Sequence, residues 1–134
     1  MNASREQAGV LLSRARDDAL MMEELLRNPA SPQWGIGFHA QQSVEKALKS
    51  VLSERGVEFP FTHDLQLLLN LLQERTRLVP PGADELVRLT PYATALRYDV
   101  FLEETAALHV DRERLPVLVR QVIDWASGLV TKKA

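Results

Sequence analysis

The sequence predicts an all-α fold, an up-and-down bundle of four or five helices. Three observations predict it. Apolar residues recur at steps of three and four along most of the chain, which is the period of a helix. No segment sustains the two-residue alternation of a half-buried strand. The breaks between periodic runs are short and made of Pro, Gly and Asn, so successive helices must return antiparallel. With 134 residues the chain fits one domain, residues 1–134. A chain of that length buries roughly two-thirds of its unfolded surface and needs no covalent staple.

The first helix is expected from Ser4 to Arg27. Ser4 and Gln7 have the spacing of a capping box. Ala8, Leu11, Leu12, Ala15, Ala19, Met22 and Leu26 form its apolar stripe, and Asn28, Pro29 and Ala30 end it. Ser31 and Pro32 read as an N-cap and a first-turn proline for a second helix, Gln33 to Arg55, which Gly56 is placed to stop. Gly35 and Gly37 each cost that helix about 1 kcal/mol relative to Ala. Close packing near Trp34 is the expected reason for them.

Thr62 is a plausible cap for the third helix. Its run HDLQLLLNLLQER is apolar nearly all round, the mark of a helix buried on several sides. Pro80, Pro81 and Gly82 break the chain again. A fourth helix is expected from Ala83 to Ala95, kinked or divided by Pro91, which lacks an amide donor. The stretch RYDVFLEETAALHV reads as a loop with at most one helical turn. The last helix is expected from Arg112 to Leu129 under an Asp111 cap. Leu115, Leu118, Val119, Val122, Ile123, Ala126 and Leu129 face the core, and Pro116 favours a start one turn later.

Composition narrows the function. The formal net charge is −2, from 16 basic and 18 acidic residues, which argues against nucleic-acid binding by bulk charge and leaves room only for a local patch. There is no cysteine, so disulfides, thiolate metal sites and a cysteine nucleophile are excluded. The N-terminal MNASREQAG has no signal-peptide apolar region, and no apolar run approaches the roughly 20 residues of a membrane span. The expectation is a soluble, cytoplasmic protein with no membrane association. His-Glu-x-x-His, a glycine-rich phosphate loop and a serine nucleophile elbow are all missing, and the paired Glu-x-x-His of di-iron bundles is missing too. No metal and no cofactor are expected.

The second helix carries an unusual polar stripe. On a helical wheel at about 100° per residue, Ala40, Val44, Ala47, Leu48 and Val51 share one arc, the expected core face. Gln42, Glu45, Lys46 and Lys49 lie opposite, with Phe38 in the middle of their arc. One reading is a solvated face with a Glu45–Lys49 ion pair worth about 0.3–0.5 kcal/mol. A second is a half-dry surface covered by a partner helix, self-complementary in a two-fold dimer. A third is a grip by Lys46 and Lys49 on a phosphate-bearing ligand.

The run FHAQQSVEKALKSVLSERG, then FTHDLQLLL, then YATALRYD resembles the HEPN domain, the nucleotide-binding domain of higher eukaryotes and prokaryotes. The resemblance covers nearly the whole chain and suits the small, stand-alone prokaryotic type. It implies a helical bundle, a homodimer, and pairing with a small nucleotidyltransferase as a toxin–antitoxin couple, with nucleotide or RNA as ligand. The family's helix motif falls on Gln42, Glu45, Lys46 and Lys49. Its His-Asp pair falls on His63 and Asp64, and its late Arg-Tyr pair on Arg97 and Tyr98. Phe38 joins these as a candidate ligand or interface residue.

The chain departs from the family's nucleases, which carry Arg-x4-6-His. Arg97 is followed by Tyr98, Asp99, Val100, Phe101, Leu102 and Glu103, and the next histidine is His109. Metal-independent RNA cleavage needs a base for the 2′-hydroxyl and a cation for the phosphorane. Arg97 is the candidate cation, and the expected base is not there. Tyr98, with an ordinary pKa near 10, is a poor base at neutral pH. The preferred reading is therefore a binding module, with a ribonuclease toxin using Arg97 and an atypical base, or a helical adaptor without ligand, as the alternatives. In structural terms alone, Asp64 would favour the helix dipole, His63 would bond a loop carbonyl, and Arg97 would pair with Asp99, Glu103 or Glu104.

Overall fold

The computed structural model describes residues 2–94 and 109–130. Every regular element among them is helical: α1 (Asn2–Leu26), α2 (Gln33–Glu54), α3 (Leu65–Thr76), α4 (Ala83–Leu86), a 3-10 segment (Val87–Thr94) and α5 (Arg114–Leu129). None of these helices is long and apolar enough to cross a membrane.

Helix α2 is the axis of the molecule. It pairs along its length with α1 and also packs against α3, the 3-10 segment and α5. Its interior residues Ile36, Ala40, Val44, Ala47, Leu48, Val51 and Leu52 are all buried. Facing them are Ala8, Leu12, Ala15 and Met22 of α1 and Leu115, Leu118, Val119, Val122 and Ala126 of α5. The nearly all-apolar α3 is buried on several sides, as its composition requires, with Leu65, Leu68, Leu69 and Leu72 inside and Leu67 and Leu71 half-buried.

The helix ends follow local chemistry. Gly56 stops α2 with φ 70°. Its amide donates to the Ser53 carbonyl at 3.0 Å, and the Val57 amide reaches back to Leu52 at 2.9 Å. This is a Schellman closure, sealed by the buried Val57. Asp111 caps α5: one carboxylate oxygen accepts from the amides of Glu113 and Arg114 at 3.1 and 2.9 Å. With α5 beginning at Arg114, Pro116 falls in its first turn, where a missing amide costs little.

Several expectations are corrected. Ser4 and Gln7 form no capping box, because α1 already begins at Asn2; instead Ser53 donates to the Ser4 carbonyl at 3.0 Å and to the Gln7 amide oxygen at 2.8 Å. The cap of α3 is Asp64, accepting from the amides of Gln66 and Leu67, while the Thr62 hydroxyl oxygen accepts from Asp64's own amide at 3.0 Å. The fourth helix is α-helical only to Leu86 and winds as 3-10 from Val87, ahead of Pro91; its expected end, Ala95, lies outside the described residues. Gly37 makes room for Tyr92, not Trp34: a Cβ there would stand 2.3 Å from the phenol ring. Trp34 is 44% exposed.

Candidate functional site

The polar arc of α2 is neither solvated nor left open to a partner along its whole length, because the chain folds over much of it. After the Schellman turn the connection 57–64 runs back beside α2. The Phe59 ring lies 5.6 Å from the Lys49 ammonium. Further along, His63 reaches the middle of the helix, and Asp64 then starts α3. Glu45 and Lys49 are thereby only 4% and 8% exposed.

Glu45 is the hub. One carboxylate oxygen accepts from the Lys49 ammonium at 2.8 Å. The other accepts from the Gln41 amide at 2.9 Å and meets His63 Nδ1 at 2.9 Å. Gln41 is fully buried, and its amide nitrogen also reaches the His63 carbonyl at 3.3 Å. Its oxygen in turn accepts from Gln42 at 2.7 Å. Burial alone pushes the Glu45 carboxyl up. The hydrogen bonds from Lys49, Gln41 and His63, with the Lys49 charge, outweigh it and hold the group below its ordinary 4.5. His63 thus bonds a buried carboxylate through its ring, not the loop carbonyl expected for it, and it is its own carbonyl that accepts.

A second carboxylate serves the next stretch of α2. Asp18 of α1 accepts from Lys46 at 2.6 Å with one oxygen and meets His39 Nδ1 at 3.0 Å with the other. Phe38 stacks edge-on against His39 at 5.3 Å. Asp18 is buried, while Lys46, His39, Phe38 and Gln42 each keep a partly exposed edge. The His63 side chain keeps 40% of its surface. The face left to other molecules is therefore a strip of Phe38, His39, Gln42, Lys46 and His63, held from beneath by two carboxylates.

Arg97 and Tyr98 lie outside the described residues, as do Asp99, Glu103 and Glu104. His109 is exposed. Sequence reasoning brought Gln42, Glu45, Lys46, Lys49, His63 and Asp64 together on α2 and the start of α3, and the structure places them there. It missed Asp18, His39 and Gln41 as members of the network. The signal for Asp18 was present: a charge three residues after Ala15 and four before Met22, inside the apolar stripe of α1. Among the described residues no three His, Asp or Glu side chains are placed to hold a metal ion.

Among the described residues the chain is an all-helical bundle whose central helix carries a buried Gln41-Glu45-Lys49 row, bonded from outside by His63 just before the Asp64 cap of α3. The HEPN domain family model matches residues 8–129, nearly the full length, and the chain belongs to that family. At family level this makes it a nucleotide- or RNA-related module. Comparison with curated proteins and with solved structures gives no match.

Proposed function

We propose that this chain is a single-domain, cytoplasmic HEPN module of a prokaryote that pairs with a small nucleotidyltransferase in a toxin–antitoxin couple. In this reading it works as a homodimer, and the exposed strip of α2 takes a nucleotide or RNA. The observation that carries it is the pre-organised strip itself. Lys46 and His39 are fixed on Asp18, and His63 on Glu45, so their outward edges are positioned without further loss of side-chain entropy. Lys46 is the cation of the strip, and Phe38 and Gln42 offer an apolar edge and an amide. Such a surface suits a phosphate attached to a flat base better than a bare ion.

The test is co-expression of the chain with the nucleotidyltransferase encoded beside it, followed by co-purification and sedimentation. A stable complex that contains two copies of this chain is expected. A neighbouring gene of another kind, or two proteins that migrate separately, would remove the reading. Calorimetric titration with nucleoside mono- and triphosphates tests the ligand: Lys46→Ala is expected to weaken binding about tenfold.

A further inference from the structure

A separate cavity of about 530 Å³ opens between the 3-10 segment and the first turn of α5. That volume lies within the range of small-molecule sites. Its walls are Leu89, Leu115 and Leu118 together with Tyr92, all buried. None of these residues belongs to the α2 strip.

Most of the charge around the cavity is already spent. Arg114 grips Glu85 with two hydrogen bonds of 2.6 and 3.1 Å. Asp111 caps α5. His109 stands exposed on the rim. Besides His109, two donors are left over. Arg88 lines the cavity from an exposed position and has no hydrogen bond or ion pair among the described residues; Glu85 feels its charge but is bonded to Arg114. Tyr92 is only 4% exposed, its ring pressed on Gly37, and its hydroxyl has no hydrogen-bond partner among the described residues. The ring is buried while the hydroxyl itself keeps some accessible surface, so it is a donor open to a ligand. Burial pushes the Tyr92 phenol above its ordinary pKa, and like any tyrosine it is a donor at neutral pH.

We propose that this cavity binds a small organic anion with a flat apolar body, the body lying against Leu89, Leu115 and Leu118 and the anionic group taking hydrogen bonds from Tyr92 and Arg88. The inference stands apart from the α2 strip and survives its loss. The required chemistry is shared by aromatic carboxylates and nucleoside monophosphates.

The full chain would be titrated by calorimetry and by saturation-transfer NMR with naphthoate, uridine monophosphate, uridine and inorganic phosphate. The expected result is binding of naphthoate or uridine monophosphate tighter than about 1 mM, with uridine and inorganic phosphate at least about tenfold weaker. Whichever organic anion binds identifies the source. Tyr92→Phe and Arg88→Gln are each expected to weaken that anion about tenfold. Tyr92→Phe should also melt no lower than the native chain, because the hydroxyl it removes has no hydrogen-bond partner among the described residues. The proposal is overturned if neither organic anion binds, if uridine or phosphate binds as well as they do, or if either variant keeps native affinity. A lower melting temperature for Tyr92→Phe overturns it as well, since the hydroxyl would then have a structural partner.

Discussion

His63 and Glu45, eighteen positions apart in sequence, meet ring nitrogen to carboxylate at 2.9 Å on the flank of the central helix. The contact ties the connection 57–64 to α2. It is made on a carboxylate that also binds Lys49 and Gln41. Part of what a helical wheel presents as the wet side of α2, Glu45 and Lys49, is therefore interior, while Phe38, Gln42 and Lys46 keep an exposed edge.

Glu45→Ala should destabilise the fold by about 3 kcal/mol, because it strands a buried ammonium and a fully buried amide. Glu45→Leu combined with Lys49→Met should recover most of that loss, since it removes both charges together. Urea denaturation of the two variants checks this. Equal losses in the single and double variants would show that no buried pair exists.

The same carboxylate predicts an acid limb. Its folded pKa lies below the ordinary 4.5, so its contribution is complete above that value and is lost as pH falls through the lowered folded value. The urea midpoint of the native chain should therefore drop below pH 4.5 more steeply than that of Glu45→Gln. Parallel profiles would count against the network.

Gly37→Ala should cost about 1–3 kcal/mol despite the better helix propensity of alanine, because the new methyl meets the Tyr92 ring at 2.3–2.6 Å. Gly9→Ala on α1, where nothing lies within 4 Å, should stabilise by about 0.5–1 kcal/mol. Thermal melts of the two variants should move in opposite directions.

Asp64→Ala should cost about 1 kcal/mol through the lost cap of α3 and should loosen the turn beside His63. Amide exchange at Gln66 and Leu67 is the local readout. Unchanged protection there would mean that the carboxylate does not cap the helix.

The helical class, the helical regions among the described residues and most of the core stripes were legible in the sequence, since period and stop residues are local signals. Leu12 and Met22 on α1, or Leu118 and Val122 on α5, needed nothing else. The switch to 3-10 winding at Val87 was not legible. Pro91 explains a break at its own position, but the earlier change depends on how the segment lies across α2. The site was half legible. The wheel put Glu45, Lys46 and Lys49 on one face of α2 correctly, yet it could not show that residues 57–64 double back to bury two of them. The pairing of His39 with Asp18, or of Tyr92 with Gly37, joins distant parts of the chain, and spacing along one helix carries no record of either. Arg97 and Tyr98 remain sequence-based candidates.

The most direct test is a carbon-13 NMR titration of the Glu45 side-chain carboxyl in the native chain. A midpoint below 4.5, moving upward in Lys49→Met, is the result this structure requires. A native midpoint at or above 4.5 that ignores the Lys49 substitution would mean that the carboxylate faces solvent, and the covered face of α2 would be gone.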